Sequence, residues 1–397
     1  MRDPWATFAD RAQGSEVAGY FERSTGSGRG PGLSASFTTA EEVLALRPSS
    51  DVREIARTTD RFLRRAPHRL VMGYAGFDAV GLFEPALRSF PSGSPFPLGE
   101  FAFASDVRVT PTLPPSATTP SPSGALIPTK DSMPKARFEA SVRSLRREIR
   151  NGEAYQVVLA HRRQWRRPAD LLARAGRLRS TERFAFFFYL KFGDRELVGA
   201  TPESVVEVEG TRALVNPIAG TLPAGRAGAG RLPLEVDPKE LAEHRMLVDL
   251  ARNDLGSVAR PGTVRLLWQE RRERYARLEH LVSRVAARLR PGVGPWEAIG
   301  ATFPAGTVSG APKIRATELL RREEGTWRGP YAGTVGLLRP GGRADWALTI
   351  RSGFAAGRSL YTAAGGGVVY RSEPRREFQE TLTKLAHVEA TLVGGSE

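Results

Sequence analysis

The last part of the chain holds the stretch that decides the fold. Residues 331–370 have the sequence YAGTVGLLRPGGRADWALTIRSGFAAGRSLYTAAGGGVVY. The runs YAGTVGLL, DWALTIRSGF and SLYTAAGGGVVY are rich in β-branched and aromatic residues and are separated by turns, one of them at 355–358, which predicts antiparallel hairpins. A helix is predicted directly after them, over about Arg375–Leu392. Strands that are segregated from helices favour an α+β fold over a doubly wound parallel sheet.

Helices and strands are also predicted further upstream. SMPKARFEASVRSLRREIRNGE begins with Pro134, ends at Gly152 and carries four apolar side chains at helical spacing, namely Phe138, Val142, Leu145 and Ile149. A second helix is predicted from about Pro238 to Leu255, ending at Gly256. Strands are predicted for YQVVLAHRRQW, RFAFFFYLKF, RELVGAT and SVVEVEG, and HRLVMGYAGFDAVGLFE has the composition of a buried strand that enters a turn.

A run rich in Pro, Ser and Thr, TPTLPPSATTPSPSGALIP at 110–128, interrupts the chain. A segment of this composition cannot bury a core. We therefore expect a smaller N-terminal part over 1–109, a linker over 110–130 and a larger C-terminal part over 131–397. The sequence has no internal repeat.

Composition excludes several classes of protein. The chain has 397 residues, a net charge of +15 and no cysteine, so disulfides and thiolate zinc sites are excluded. The N-terminal sequence MRDPWATFADRAQGSE lacks the apolar run of a signal peptide. No stretch approaches the roughly 20 apolar residues that cross a bilayer. We expect a soluble, cytoplasmic protein with no membrane partner.

The positive charge has two interpretations. The basic clusters RFLRRAPHR, HRRQWRRP and RRERYAR are short and scattered, and no zinc-finger, RRM or KH spacing accompanies them. A solvated basic surface explains them better than a nucleic-acid partner, which we do not expect. A basic field would also attract a small acidic substrate.

Two Glu-x-x-Glu pairs occur on predicted helices: Glu240 with Glu243, and Glu377 with Glu380. Residues three apart on a helix lie on one face, so each pair presents two carboxylates in one direction. Two such pairs facing each other would hold a hard cation such as Mg²⁺. For any single pair, however, a solvated helix face is the better interpretation, and the residues alone do not decide.

The glycine-rich stretches are weak signals. GSGRGPG (26–32) and GRAGAGR (225–231) do not lie between a strand and a helix, so we interpret both as loops. FPAGTVSGAPK lacks the GKS/T ending of a Walker loop, yet its backbone N–H groups and Lys313 could hold a carboxylate. The three glycines of AAGGGVV predict either a close approach of the backbone to a ligand or a bulge.

These motifs occur together in an order that resembles the chorismate-utilising enzymes, most closely their anthranilate synthase component I branch. One matching stretch, MGYAGFDAVGLFE, precedes the linker. The others lie within 131–397 and are NGEAYQVVLA, ATPESVVEV, NPIAGT, ELAEHRMLVDLARNDLG, YARLEHLVSRV, FPAGTVSGAPKIRATELL, RGPYAGTVG, TIRSG, AAGGGVV and SEPRREFQETLTK. The resemblance implies an α+β sandwich of two sheets with outer helices and chorismate in a cleft between the sheets.

The resemblance also implies a set of site residues. Glu243 and Glu380 match the ligands of Mg²⁺, which Glu240 and Glu377 support through water, and Lys384 matches a cation beside these carboxylates. The metal would neutralise the ring carboxylate of chorismate and act as a Lewis acid. Substrate contacts are implied for Gly220, Thr221, Tyr331, Arg351, Gly365 and Gly367, with Thr307 and Lys313 expected to line the same cleft.

Family members share a first step, in which a nucleophile attacks C2 and the C4 hydroxyl leaves. Glu203 matches the general acid, whose pKa should be raised by burial. Gln156 stands where isochorismate and salicylate synthases carry a lysine base, and Ala219 stands where aminodeoxychorismate synthases carry an attacking lysine. This combination matches the ammonia-using anthranilate synthases.

The second step removes the C2 proton and expels pyruvate, and His280 matches the histidine on which it depends. The sequence therefore predicts a lyase that forms anthranilate. An enzyme that stops at 2-amino-2-deoxyisochorismate is the alternative, and an aminodeoxychorismate or isochorismate synthase is less favoured. A non-catalytic basic binding protein is disfavoured because Glu203, His280 and Arg351 are all present.

The resemblance implies a partner and a regulatory expectation. The chain has no cysteine nucleophile for a glutaminase, so ammonia is expected from a separate glutamine amidotransferase subunit. The chain is short for component I towards its N-terminus, and FERS (21–24) stands where tryptophan-regulated enzymes have LLES. Weak or absent inhibition by tryptophan is therefore expected, as in a secondary-metabolic copy. The oligomeric state is left open, a homo-oligomer included.

Overall fold

The computed structural model describes residues 3–24, 32–88, 91–112, 128–182, 184–223, 238–275 and 278–394, apart from the side chains of 219–223, 239, 274, 275 and 278. Its strands and helices are numbered here in chain order. The glycine-rich stretches at 225–231 and, but for its last residue, at 26–32 lie outside this range, as does most of the predicted linker.

The first sheet, sheet A, is antiparallel and contains ten of the described strands. From edge to edge its strands are β16 (Gly310–Ala311), β8 (Gln156–Arg166), β20 (Ser359–Val368), β19 (Ser352–Ala356), β10 (Arg195–Thr201), β9 (Phe186–Phe192), β1 (Val17–Arg23), β2 (Leu33–Phe37) and β6 (Val107–Thr110), with β7 (Pro128–Asp131) paired to β8. Strands β8 and β20 form its longest ladder, from Ser359 opposite Arg166 to Val368 opposite Val157.

The second sheet, sheet B, is also antiparallel and has ten described strands. Its order is β13 (Ile218–Pro223), β15 (Leu278–Arg288), β12 (Arg212–Val215), β11 (Ser204–Glu209), β18 (Arg343–Leu348), β17 (Thr334–Arg339), β4 (Leu70–Ala75), β5 (Gly99–Ala104) and β3 (Glu42–Leu46), with β14 (Arg265–Tyr275) paired to β15.

The helices lie outside the two sheets or at their ends. They are α1 (Pro4–Ala12), α2 (Val52–Leu63), α3 (Val80–Phe83), α4 (Lys135–Arg150), α5 (Leu171–Thr181), α6 (Pro238–Gly256), α7 (Pro295–Thr302), α8 (Gly306–Ser309), α9 (Lys313–Glu324) and α10 (Pro374–Leu392). Short 3-10 helices cover Phe77–Ala79 and Pro85–Leu87. None of the helices in the described ranges is long and apolar enough to cross a bilayer.

The sheets pack face to face, and strands from both sides of the predicted linker contribute to each. A Cβ on Gly19 of β1 would lie 2.8 Å from the Met72 sulfur of β4, so glycine permits the close approach there. Ion pairs also connect the sheets: the buried Arg23 with Asp345 at 2.6 Å, and the half-buried Arg195 with Glu100 at 2.6 Å. Burial of both faces explains why these strands have near-continuous apolar runs.

Helices cover the outer faces of both sheets. On sheet A, Trp5 of α1 packs edge-on against Tyr20 and Phe187, and Leu392 of α10 lies against Gly353. On sheet B, Trp296 of α7 packs against Phe101 and Trp346. The α+β sandwich with outer helices, expected from the sequence, is confirmed.

Two direct crossovers between the sheets lie at the same end of the sandwich. Strand β10 of sheet A ends at Thr201 and β11 of sheet B begins at Ser204; β18 of sheet B ends at Leu348 and β19 of sheet A begins at Ser352. The two crossovers run side by side, because β10 pairs with β19 and β11 pairs with β18. The expectation that DWALTIRSGF forms a single strand is therefore wrong.

Candidate active site

Glu203 lies in the first crossover, between the two sheets. Its side chain is buried, with the residue 8% exposed. The Thr307 hydroxyl of α8 donates a hydrogen bond of 2.5 Å to Glu203 Oε1. Both residues line a small cavity of about 40 Å³, whose other walls come from the start of β11, from Asn216 and from α6. The structure thus brings together two of the residues that the sequence singled out.

Arg351 lies in the second crossover, directly before β19. It is one of three described non-glycine residues with positive φ, at 51°. Burial lowers the pKa of Arg351, while the nearby carboxylates of Glu182 and Glu203 act in the opposite direction. The Arg351 guanidinium and the Glu203 carboxylate are therefore close enough to interact electrostatically. Backbone strain of this kind recurs at functional sites.

Tyr331 lies beside the second crossover, in the turn before β17. Its neighbour Ala332 also has a positive φ, 61°, and the Ala332 N–H donates to Thr349 O at 2.9 Å. Tyr331 is 6% exposed, and burial raises its pKa to about 12, with Arg328 acting in the opposite direction. The backbone of Gly365 also acts to lower this pKa. Tyr331 is therefore a neutral hydroxyl at neutral pH.

Strand β20 contributes Gly365 and Gly367, which the sequence also singled out. Gly365 and Gly367 pair with Ala160 and Val158 of β8 in a regular ladder, so they do not form a bulge. A Cβ on Gly367 would lie only 2.4 Å from Gln156 Nε2. The Gln156 amide therefore lies over Gly367, and glycine makes room for it.

Helix α10 packs its carboxylate pair against the outer side of the same strand. Lys384 Nζ donates to Gly365 O at 2.9 Å and forms an ion pair of 2.7 Å with Glu380. A Cβ on Gly366 would lie 3.4 Å from Glu377 Oε2. Lys384 and Glu377 thus lie beside Gly365 and Gly366, and Glu380 is held next to them by its ion pair with Lys384.

The second carboxylate pair is on α6, which contacts β13 and β15. The buried His244, next to Glu243, fixes this helix to β15 through a 2.6 Å hydrogen bond between His244 Nε2 and Ser283 Oγ. Glu240 and Glu243 are half-buried.

The oxygen donors of the two pairs have the chemistry that Mg²⁺ prefers. Among the described residues, however, no three acidic or histidine side chains lie close enough together to hold a metal ion. The magnesium site therefore stays a prediction.

His280 is buried in β15, 4% exposed. The pairing of β13 with β15 is irregular at this point: Ala219 pairs with Leu281 and Leu222 pairs with Glu279. The backbone of Gly220 and Thr221 therefore lies opposite His280, two residues against one, as in a bulge. Their side chains are outside the described set.

Lys313, which we expected to line the substrate cleft, binds two neighbouring oxygen atoms. Its ammonium donates to Asp254 Oδ2 at 2.8 Å and to Thr302 O at 3.1 Å. Burial raises the pKa of Asp254 to about 6, although Lys313 lowers it. Asp254 and Thr302 line the cavity beside Glu203, so Lys313 supports one wall of that cavity through its partners.

Sequence reasoning missed a buried ionic network behind Tyr331. Arg328 forms a two-pronged ion pair with Glu324, at 2.5 and 2.8 Å, and donates to Val158 O and Val308 O. The network therefore connects α9, the strand that pairs with the glycines, and the turn that holds Thr307.

Asp78 extends this network towards β4. It accepts hydrogen bonds from the N–H groups of Gly329 at 2.7 Å and Arg328 at 3.4 Å. The sequence offered one sign of this network, namely a charged residue inside an otherwise apolar motif. These residues are Asp78 in YAGFDAVG and Arg328 in RGPYAG.

Known proteins with similar sequences identify the family of this chain. The profile of the chorismate binding enzyme family matches residues 16–390. Anthranilate synthase component 1 of Methanothermobacter thermautotrophicus is 43% identical over 258 residues, 64% of this chain and 56% of that protein. Its counterpart from Streptomyces coelicolor is 42% identical over 258 residues, 63% of this chain and 50% of that protein. The chain thus spans about half the length of the curated relatives it matches.

Solved structures give the same result. Anthranilate synthase component I from Streptococcus pneumoniae superimposes with a TM-score of 0.81 at 27% identity, covering 92% of this chain and 94% of that one. The menaquinone-specific isochorismate synthase from Escherichia coli shares the fold, with a TM-score of 0.77 at 19% identity, covering 98% and 91%. The chain belongs to the chorismate binding enzyme family.

Proposed function

We propose that this chain converts chorismate and ammonia to anthranilate and pyruvate in a magnesium-dependent reaction. The observation that carries the proposal is the grouping of Glu203, Arg351 and Tyr331 at the two crossovers, beside the glycines of β20 and Gln156. The identity to component 1 of anthranilate synthases supports this choice of product among the reactions of the family.

The positions of Arg351 and Tyr331 support binding of a dianionic substrate. A buried guanidinium offers a two-pronged grip on a carboxylate, and a neutral hydroxyl beside it donates a further hydrogen bond. The backbone of Gly365 and Gly367, and that of Gly220 and Thr221 in the second sheet, would approach the substrate closely. In this proposal Arg351 binds the pyruvyl carboxylate.

Glu203 would protonate the C4 hydroxyl as ammonia attacks C2. A general acid must keep its proton until the leaving group departs, and burial disfavours the charged carboxylate. The Thr307 hydroxyl fixes the carboxyl through the 2.5 Å hydrogen bond to Oε1. In this proposal the proton that the C4 hydroxyl receives comes from the Glu203 carboxyl, which Thr307 holds in one orientation.

Gln156 supports ammonia as the nucleophile. Its neutral amide cannot take a proton from water, so it does not generate hydroxide as a lysine base does. Held over Gly367, the amide can orient an incoming ammonia by a hydrogen bond.

His280 would remove the C2 proton in the second step, after which pyruvate leaves and the ring becomes aromatic. The irregular pairing of β13 with β15 supports this role, because it places the expected substrate contacts Gly220 and Thr221 opposite the histidine.

Glu243 and Glu380 would hold Mg²⁺, with Glu240 and Glu377 in support and Lys384 beside them. Bound magnesium supplies charge neutralisation at the ring carboxylate and Lewis acidity. Ammonia would come from a separate glutamine amidotransferase subunit, with free ammonium replacing it in vitro.

The experiment is a product analysis of the purified chain with chorismate, Mg²⁺ and ammonium, using liquid chromatography with mass detection. Anthranilate and pyruvate in equal amounts are expected, and Glu203→Gln should lower the rate by a factor on the order of 100 or more while circular dichroism stays unchanged. Accumulation of 2-amino-2-deoxyisochorismate without pyruvate would instead identify the enzyme that stops after the first step. Absence of any amino product would contradict the proposal.

A further inference from the structure

A buried histidine of β8 joins helix α10 to sheet A beside the candidate site. His161 is 2% exposed, and its ring lies between Phe138 of α4 and Phe378 of α10, with ring centres 5.6 and 5.5 Å away. Both ring nitrogens are hydrogen-bonded: Nδ1 with Asp131 Oδ1 at 3.1 Å and Nε2 with Thr381 Oγ1 at 3.0 Å. We call Asp131, His161 and Thr381 the His161 linkage. The proposed reaction does not yet use this histidine.

The carboxylate of Asp131 fixes the orientation of the ring. Burial acts to raise the pKa of Asp131, but hydrogen bonds from His161 and from the Met133 N–H lower it below its ordinary value. An ionised carboxylate only accepts hydrogen bonds, so His161 Nδ1 carries a proton and donates to Asp131. The ring is therefore held with Nε2 directed at Thr381.

Thr381 places the linkage at the turn of α10 that carries the acidic pair. It follows Glu380 directly and lies four residues after Glu377, so Glu377 and Thr381 share one face of the helix. That face packs on β20 at Gly366, where an added Cβ would lie 3.4 Å from Glu377 Oε2 and 3.6 Å from Thr381 Cγ2. The position of Thr381 on the sheet therefore also sets where the two carboxylates of this turn lie.

A second contact holds α10 to the same strand further along. Arg163, two residues after His161 on β8, forms an ion pair of 2.9 Å with Glu389. Glu389 also accepts a hydrogen bond of 2.8 Å from the Thr362 hydroxyl of β20. These contacts involve neither His161 nor Thr381, so we expect α10 to stay docked on sheet A when the His161 linkage is removed. The linkage then acts locally, on the turn with the acidic pair.

We propose that His161 is a positioning residue of the magnesium site, an inference that rests on the proposed function. Through Thr381 it holds the turn of α10 in the orientation at which Glu377 and Glu380 face the cation. Partners that orient metal-binding side chains in this way contribute about 10- to 100-fold to metal affinity. His161 does not touch the reacting atoms, so its removal should weaken binding of the cation rather than slow the chemical step.

The test measures binding of Mn²⁺, which prefers the same oxygen ligands as Mg²⁺, with chorismate present and ammonium absent. Electron paramagnetic resonance of the free Mn²⁺ then gives the dissociation constant without turnover. His161→Phe keeps an aromatic ring between Phe138 and Phe378 but removes both hydrogen bonds. It should raise the dissociation constant by about tenfold or more. Thr381→Val removes only the hydroxyl and should raise the constant to a similar degree.

Two further variants show whether the hydrogen bond to Thr381 is responsible. His161→Gln has both a donor and an acceptor at the end of its side chain, so its amide can bond the Thr381 hydroxyl in either direction. This variant should recover most of the affinity for Mn²⁺. Thr383→Val is the matched control, because it makes the same substitution two residues later in α10, where the hydroxyl donates to Gln379 O of its own helix at 3.1 Å. It should leave the dissociation constant unchanged.

Ammonium-driven turnover separates this role from a general structural one. At saturating Mg²⁺, His161→Phe should recover a kcat close to that of the wild type, as expected when only binding is weakened. An unchanged Mn²⁺ dissociation constant in His161→Phe and Thr381→Val, or an equal rise in Thr383→Val, would overturn the inference. Additive effects in the double variant His161→Phe/Thr381→Val would also overturn it, because two residues that act through one contact do not add.

The wild type distinguishes failure of this inference from failure of the proposed function. If it binds no Mn²⁺, the magnesium dependence of the proposed function is contradicted and this inference with it. If it binds Mn²⁺ but forms no anthranilate from chorismate and ammonium, only the proposed product is contradicted, and the comparison of variants still decides the role of His161.

Discussion

At the scale of single residues, Gly367 determines where the Gln156 amide can lie. The substitution Gly367→Ala would put a Cβ 2.4 Å from Gln156 Nε2, an overlap that the flexible glutamine can relieve by turning away. We therefore expect the KM for ammonium to rise by about tenfold, with little change in melting temperature. Steady-state kinetics with ammonium as the varied substrate measures this effect.

The control for this change is Gly256→Ala at the end of α6, where an added Cβ meets nothing within 4 Å. It should leave the KM for ammonium unaltered. An unchanged KM in Gly367→Ala would show that the amide over Gly367 does not orient the nucleophile.

Asp78 gives a prediction on pH. Burial raises the pKa of Asp78 to about 6, although backbone N–H groups and Arg328 act in the opposite direction. The unfolded chain releases this proton near pH 4. The folded state therefore binds more protons between these values, and the contribution of Asp78 to stability falls as the pH rises through 4 to 6.

The wild type should consequently lose about 1 kcal/mol of unfolding free energy relative to Asp78→Asn between pH 5 and pH 7.5. Urea unfolding of both proteins at the two pH values measures the difference. Parallel pH dependence of the two proteins would contradict the raised pKa.

Much of the candidate site could be predicted residue by residue, because Glu203, Arg351 and Tyr331 each occur in a short recognisable motif. The Arg328 network could not. Arg328 and Glu324 are one helical turn apart, but Asp78 lies 250 residues from Arg328 in the sequence, and only the folded chain shows that they share hydrogen bonds. A motif identifies a position but not its partner.

At the scale of elements, hydrophobic patterning predicted α4, α6 and α10 within two residues of their observed bounds. The patterning did not predict the place where one segment contributes a strand to each of the two sheets. DWALTIRSGF has apolar side chains on both sides of the polar residues at 349–351, so we predicted one strand across the change of sheet there, where Arg351 has a positive φ. Continuous apolar runs show that both faces are buried but not which sheet the strand joins.

The hairpin of β14 and β15 was not predicted as strands, and the reason is physical. RLLWQERRERY carries many charged residues because β14 is an edge strand, paired only with β15 among the described strands. Charged side chains on an edge prevent association with other strands. They also remove the apolar signal by which a strand is recognised.

At the scale of the whole molecule, part of the arginine content is structural. Several arginines are structural: Arg179 is paired with Glu22 at 2.6 Å and Arg328 with Glu324, all of them buried. Arginine suits such positions because its planar group makes several hydrogen bonds at once. Part of the basic composition thus serves the core rather than a surface for a polyanion.

The two sheets also predict how the chain responds to a cut in the linker. Strand β1 pairs with β9, and β4 pairs with β17, so segments from before and after the linker are neighbours in both sheets. The cross-sheet ion pairs Arg23–Asp345 and Arg195–Glu100 add further contacts between the same two segments. Separating the two segments would expose the apolar core that they share. The free energy of that exposure is far larger than the free energy gained from the added chain entropy when the linker is cut.

A chain with a specific protease site placed within 113–127 should therefore keep both fragments together after cleavage. We expect them to elute as one species in size-exclusion chromatography, to unfold in one transition and to retain ammonium-driven turnover. The uncut chain is the control. Fragments that separate under native conditions would show instead that the part before the linker is a dispensable layer, and the strand pairs across the linker would then not hold the molecule together.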